Sequence, residues 1–381
     1  MLTERFPDGP KIRLPGTDRA RDPAATLAMA GRAARKVGVT RVADITRLDT
    51  VGIPTFQAIR PASRTLAVSQ GKGVTPELAK LSAVMESIEL WHVEQALPAA
   101  VTAPPREVAG RLGYDVHALV PAAPSLLHDG LPLDWLTGMS LEDGSPTLVP
   151  RDTVALTLER GTGWNPPLFF ASSNGLAGGN TRVEATLHAL YEVIERDAVT
   201  AAVTGGRPSG GVRVDPGTSG SPIVDELCAT MARARVRLEV RHLPSPTGLP
   251  CFLARITCDD YPPSFFGFGC HLSSEIALTR AITESAQARL AYVSGARDDL
   301  RADFNDGVPR QGRPEPPREA AGPVPVLRAH DTLAEDLEDA VKRAAVAFGH
   351  PPLVVDLTRE EVGVPVVKVV APGARVCPEV M

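Results

Sequence analysis

Apolar residues recur at helical spacing in three long stretches of the chain, and each stretch carries acids at the same spacing. In the first, Ser82, Glu86 and Glu89 sit among Leu78, Leu81, Val84, Met85, Ile88 and Leu90. Pro76 suits a first helical turn, so a helix is expected from there to about Gln95. In the second, Glu184, His188, Glu192 and Glu195 share one face at about 100° per residue. The other positions include Val183, Leu187, Leu190, Val193, Ile194 and Val199, which leaves little to turn toward water. That helix is expected to be buried, acids included. The third runs from near Ser274 to about Ser294 and carries Arg280, Glu284, Gln287 and Arg289.

Shorter patterns fill in the rest. Asp22 as N-cap with Pro23 in the first turn predicts a helix over 22–37. Strands are expected around 40–45, 54–60, from Arg64 to a Gly-Lys-Gly turn at 71–73, at 147–152 and at 168–172. Residues 98–135 read as loops and short elements, and Ser173–Asn180 as a glycine-rich cap on the second acidic helix. After a Gly/Ser/Pro stretch at 204–222 come a helix near 223–234 and strands at 236–243, 251–258 and 265–272. A helix at 332–348 and strands at 353–357 and 364–370 close the chain, while 307–325 is expected to be a mobile loop. This mixture predicts the α+β class, helices packed on largely antiparallel sheets, in one domain spanning 1–381.

Composition narrows the function classes. A net charge of −5 and a pI near 6.0 give no basic footprint for nucleic acid. No apolar run approaches the roughly 18 residues of a membrane span, and the N-terminus lacks the apolar centre of a signal peptide. Five cysteines without a CxxC pair fit a reducing cytoplasm, where Cys251, Cys258 and Cys270 are expected to be buried small hydrophobes.

The acids are the informative feature. Carboxylates facing one another in a low-dielectric interior repel and lose hydration unless cations sit among them. Divalent metals held by oxygen ligands, together with a phosphate-bearing ligand, resolve that conflict. Each motif also has a plainer explanation. Ser82/Glu86/Glu89 could face water, and Glu184 could compensate the helix dipole. His188 fits a packing residue, and Arg280 and Glu284 an ordinary surface pair. Those explanations fail for Glu192, which lies mid-helix between Leu190 and Ile194, and for Gln287. Ser173–Asn180 offers backbone N–H groups to an anion, but neither it nor Gly71-Lys-Gly73 is a Walker A loop.

Taken in order, six motifs resemble the YcaO family of ATP-dependent enzymes that modify peptide backbones. They are Leu48-Asp-Thr-Val-Gly-Ile-Pro54, Ser69-Gln-Gly-Lys-Gly73, Ser82–Glu89, Ser173–Thr181, Glu192-Val-Ile-Glu-Arg-Asp197 and Thr283-Glu-Ser-Ala-Gln-Ala-Arg289. The resemblance implies an ATP and Mg2+ site. It assigns Glu86, Glu184, Glu192, Glu195 and Glu284 to the metal, and Ser82, Glu89, Asn180, Arg196 and Gln287 to ATP, with Glu89 able to serve either. Arg19 and Thr26 match the spacing of an N-terminal pair that touches the nucleotide in the family. No general base is identified.

Within the family the chain is most similar to stand-alone members associated with TfuA proteins, through Thr40–Asp49, Met85-Glu86 and Trp91-His92. It lacks the Pro-x-Pro-x-Pro tail common in azoline-forming members. The resemblance therefore implies a peptide or protein substrate whose amide oxygen is phosphorylated by ATP and replaced, most simply by sulfur to give a thioamide. A TfuA-like partner and a sulfide source are then expected. Azoline and amidine formation, a non-catalytic peptide scaffold, a conventional ligase and a homodimeric state all stay open.

Overall fold

The computed structural model describes residues 9–156, 167–204, 207–208, 210–260, 263–296 and 320–377. A hairpin of β1 (Ile12–Leu14) and β2 (Thr17–Arg19) leads into helix α1 (Pro23–Lys36). Asp22 caps α1, accepting from the Ala25 N–H at 2.9 Å. Strands β3 (Arg41–Asp44), β4 (Thr55–Ile59) and β5 (Val68–Lys72) form an antiparallel sheet, against which α2 (Pro76–Val93) packs. The span from β6 (Val101–Ala103) through the single turn α3 (Pro105–Val108) leads to β7 (Leu133–Ser140) and β8 (Pro146–Pro150).

Next come β9 (Leu176–Gly178) and the long α4 (Arg182–Ala201). A two-residue pair follows, β10 (Val203–Thr204) with β11 (Arg207–Pro208), then β12 (Val212–Asp215) and α5 (Pro222–Arg233). β13 (Arg237–Leu243), β14 (Cys251–Thr257) and β15 (Phe265–Cys270) precede α6 (Ser274–Ser294). β16 (Gly322–Pro323), α7 (Leu333–Phe348), β17 (Leu353–Asp356) and β18 (Val366–Val370) complete the described elements. Two larger sheets result: β6-β7-β17-β18-β9 with β8 on β7, and β15-β14-β13-β12-β16. Among the described pairs, only β12 with β16 is parallel. The α+β expectation of helices on antiparallel sheets is met.

Three helices converge because glycines let them lie directly on strands. A Cβ on Gly71 of β5 would sit 2.0 Å from the Ala83 backbone nitrogen of α2. One on Gly267 of β15 would sit 2.2 Å from that of Ser285 in α6. Neither position admits a side chain. α4 is wedged between, against β9, β15, β18 and α7, with fourteen of its residues buried.

Several expectations change. Ser173–Asn180 is not a loop capping α4: Leu176–Gly178 pairs with β18, and Thr181 is the cap, its hydroxyl accepting from the Glu184 N–H at 3.1 Å. The expected strand at 168–172 reduces to one bridge, Phe169 with Pro121. The 204–222 stretch contains β12. Of the expected loop at 307–325, residues 307–319 lie outside the described residues. Gly322–Pro323 is a strand and Val324 is buried in the core. All five cysteines are free, and Cys251, Cys258 and Cys270 are buried.

Away from these helices' acid faces, buried charge is closed off in pairs. Glu94 lies just beyond α2 and accepts from Arg60 Nη1 and Nη2, each at 2.6 Å, and from Ser63 Oγ at 2.7 Å. Burial alone would raise its pKa, but the Arg60, Thr65 and Ser63 hydrogen bonds outweigh that and hold it at about 2. A carboxylate depressed in this way stabilises the fold fully above its ordinary pKa of 4.5 and loses that contribution as pH falls toward 2. Glu94→Ala would strand the Arg60 charge and is expected to cost about 3–5 kcal/mol in denaturant unfolding at pH 7. The deficit should shrink below pH 4; a difference independent of pH would contradict the assignment.

Candidate functional site

A cleft opens where α2, α4 and α6 meet beneath the β1–β2 hairpin, with an empty volume of about 1130 Å³ counted out to its mouth. That is enough for a nucleotide-sized ligand, since such sites run to about 300–1,000 Å³. The hairpin is fixed over it from behind: Lys11 Nζ sits 2.9 Å from Asp18 and 2.7 Å from Asp336 of α7, all three side chains buried. α2 contributes Ser82, Met85, Glu86 and Glu89; α4 contributes Glu184 and His188; α6 contributes Thr279, Arg280 and Thr283. Arg19, Thr26, Lys72 and Asn180 also line it.

The hydrogen bonds explain why these side chains face one another. Glu86 Oε2 accepts from the Gln70 N–H at 2.9 Å, and Glu89 Oε1 from the Gly178 N–H at 2.7 Å. Glu184 buckles the hairpin to α4. It accepts from the Ala20 N–H at 2.9 Å and from Asn180 Nδ2 at 3.2 and 3.1 Å, with Arg19 Nε 3.7 Å away. Asn180 Oδ1 in turn accepts from Thr26 Oγ1 at 2.9 Å. The expected Arg19–Thr26 pair thus meets Asn180 and Glu184 in space.

Glu192, Glu195 and Arg196 lie farther along α4, and Glu284 one turn beyond Arg280 on α6; none of the four is in the cleft lining, and they connect to it through Lys72 beside Glu284 and Glu89 beside Glu192. Glu284 Oε2 is 2.5 Å from Lys72 Nζ, and Arg196 Nη2 is 3.8 Å from Glu195. Burial first, then Glu86 and Glu192, pushes the Glu89 carboxyl up to about 8. Burial likewise raises Glu192 to about 7, with Arg196 opposing and Glu195 adding. Glu195 is raised for the same reason, whereas Lys72 and Arg196 overcome burial and hold Glu284 low. Burial and then Arg280, Arg19 and Lys72 keep the His188 imidazole neutral.

Of the expected residues, Gln287 is absent from the cleft lining like Glu192, Glu195, Arg196 and Glu284, and no described contact ties it to the acids. Arg289, one of the quoted motif residues, lies away from the acids. Its Nε donates to Asp49 Oδ2 at 2.6 Å and Nη2 to Oδ1 at 3.0 Å, a tie between α6 and the 48–54 motif. Three cations were missed. Lys72 sat inside a quoted motif but looked like a turn residue, and Arg280 looked like a surface partner of Glu284. Lys368 of β18, 2% exposed, carried no sequence signal. Its ammonium donates to the Ser172 carbonyl at 2.6 Å, and burial lowers its pKa to about 8 against the pull of Glu192.

A model of the YcaO cyclodehydratases, described as ATP- and Mg2+-binding, matches residues 70–375. The chain belongs to the YcaO family. An uncharacterized protein of Mycobacterium tuberculosis is 38% identical over 373 residues, covering 94% of this chain and 82% of the relative. A protein from the tfuA 3′ region of Rhizobium leguminosarum bv. trifolii is 34% identical over 391 residues, covering 94% and 89%. Among solved structures, a YcaO from Methanopyrus kandleri bound with AMPPCP and Mg2+ superposes with a TM-score of 0.72 at 26% identity, covering 96% of this chain and 95% of that one. A heterocyclase in complex with substrate and cofactor gives 0.76 at 23%, covering 99% of this chain, which spans 55% of that protein's length.

This YcaO cleft fits a metal-carrying phosphate ligand on its own chemistry. The Thr279 hydroxyl and the Nε atoms of Arg196 and Arg280 are buried without a partner, leaving donors for an anion. Among the described residues no three His, Cys, Asp or Glu groups come together closely enough to hold a metal by themselves. Mg2+ does not require that, because it typically takes one or two carboxylates and completes its shell with phosphate and water.

A carboxyl raised in the folded state gives the pH test. Between pH 4.5 and 8 the folded protein holds a proton on Glu89 that the unfolded chain has lost, so ligand-free stability falls as pH rises through that window. Melting temperature is expected to decline from pH 5 to 8.5 in the wild type and to decline less in Glu89→Gln. Parallel curves would show that Glu89 is not the proton carrier.

Proposed function

We propose that this YcaO protein phosphorylates a peptide-backbone amide oxygen with ATP and exchanges that oxygen for sulfur, giving a thioamide. The observation that carries the ATP-dependent part is the interior wall of Glu86, Glu89, Glu192, Glu195 and Glu284, interleaved with Lys72, Arg196 and Arg280 around a nucleotide-sized cleft. Support for sulfur comes from the 34% identical relative of the tfuA 3′ region.

In this reading a sulfide, delivered by a TfuA-like partner, adds to the substrate carbonyl, and the resulting oxyanion takes the γ-phosphoryl group of ATP. Loss of inorganic phosphate with collapse to C=S gives the thioamide and ADP. Phosphoryl transfer asks the protein mainly for positioning and charge neutralisation. Lys72, Arg196 and Arg280 supply fixed positive charge toward the phosphates, and Ser82, Thr26, Asn180 and Arg19 orient the nucleotide. Glu86, Glu184, Glu192, Glu195 and Glu284 are the residues to hold Mg2+, which when bound would neutralise charge on the transferred group. Gln287 keeps its proposed role toward ATP.

Cyclodehydration is the second reading. It is favoured by the family model's description and by the likeness to a heterocyclase, and needs only a Cys, Ser or Thr in the substrate as nucleophile.

Glu192→Gln and Glu195→Gln are each expected to lower ATP turnover on the order of 100-fold or more while the fold persists, as for loss of a preorganised charge at a transfer site. Turnover within a few-fold of wild type in both variants would remove them from the site. Mass spectrometry of a peptide substrate incubated with ATP, sulfide and a TfuA-like partner should show sulfur for oxygen. Loss of water without any need for sulfide would select cyclodehydration instead.

A further inference from the structure

A second hollow lies against α4 at Val193, outside the nucleotide cleft, with an empty volume of about 490 Å³ counted out to its mouth. It belongs to none of the residues assigned to ATP or metal. Its walls are small aliphatic groups, among them Val120, Val193, Val370 and Ala374, and its polar groups include Lys368 and Asn174. Three observations mark it as more than a packing defect. The Lys368 ammonium is nearly inaccessible, yet the single hydrogen bond described for its three N–H groups goes to the Ser172 carbonyl. The Asn174 side-chain amide has its Oδ1 buried with no partner. Both would be costly in a merely structural cavity.

The third observation is position. Val193, in the wall, follows Glu192 directly, and Glu192 feels both Glu89 of the nucleotide cleft and Lys368 of this hollow. One carboxylate therefore lies between the two spaces. An amide whose oxygen receives a phosphoryl group must approach from a side that the nucleotide leaves free.

We propose that this hollow holds the substrate backbone. An extended peptide segment with small side chains would lie against the valines, Lys368 donating to one carbonyl and the Asn174 amide pairing with the adjacent peptide group. A backbone amide presents one acceptor and one donor, which matches this ammonium and primary amide. The apolar walls exclude a strongly hydrated ligand and set a limit on side-chain size. The inference rests on the amide-modifying reading given above and adds where the peptide sits.

Lys368 also faces Glu192, so the discriminating substitutions are Asn174→Ala and Val376→Trp, the latter filling the hollow from the residue 376 wall. The probe is a pool of acetylated, amidated hexapeptides of Ala, Gly and Val, each with one short aliphatic diazirine residue, photolysed with the full chain and mapped by mass spectrometry. Fluorescent Mg·ATP-analogue binding is measured in parallel. Labelling is expected on residues 119–120, 170–174 or 368–376 and should fall at least tenfold in both variants, with nucleotide affinity within about twofold of wild type. Labelling elsewhere, labelling unchanged in both variants, or no saturable labelling overturns the proposal. Absent nucleotide binding in the wild type, with peptide labelling intact in this hollow, would instead defeat the ATP-dependent reading alone.

Discussion

The structure depends on keeping negative charge in its interior. Each ion taken from water costs several kcal/mol unless it is paired and hydrogen-bonded. Elsewhere among the described residues four buried or half-buried acids are paired with cations: Glu94 is bound by Arg60, Asp336 by Lys11, Asp197 by Arg375 and Asp49 by Arg289. Along the cleft the pairing is incomplete. Glu284 has Lys72, but among the described residues no ion pair joins Glu89 or Glu192, and they retain protons up to about 8 and about 7. The difference between saturated pairs and an undersupplied wall separates the scaffold from the site. A dication entering with a phosphate group relieves that repulsion and releases protons, so ligand binding and protonation are linked.

The fold serves this wall by bringing three helices within side-chain reach of one another. Gly71 and Gly267 remove the Cβ atoms that would hold α2 and α6 off their strands. Lys11 then holds the β1–β2 hairpin over the opening by bridging Asp18 and Asp336, a contact across most of the chain length. Without these contacts the acids would find water, and the electrostatic tension the site exploits would dissipate.

Much of this could be read from the sequence, because local signals were strong where they mattered. Asp22-Pro23, Thr75-Pro76 and Ser273 place helix starts through capping, and the ends at Gly295 and Gly349 follow from left-handed glycines. The buried acid stripe of α4 was visible because most of the remaining positions on that helix are apolar. Long-range partners were not visible. Lys72 meets Glu284 across 212 positions, and no periodicity announces such a pair. The glycines of 175–179 suggested a loop, whereas their absent side chains allow close approach: a Cβ on Gly178 would crowd Met85 and Glu89.

How a metal reaches such a site follows from the spacing of its acids. No three carboxylates among the described residues converge on one point, so the protein alone offers Mg2+ an incomplete shell. Burial, with neighbouring carboxylates adding to it, raises Glu89 and Glu192 so that both carry protons near neutral pH, and a bare ion would have to compete with those protons as well as with Lys72 and Arg196. On the ATP-dependent reading, a triphosphate would bring oxygen ligands and draw the cations of Lys72, Arg196 and Arg280 toward itself, freeing Glu284 and Glu195. The two ligands would then help each other: the nucleotide would unmask the carboxylates, and the metal would make the nucleotide's charge tolerable beside them. On the ATP-dependent reading, this mutual dependence would keep the acids masked until both arrive together.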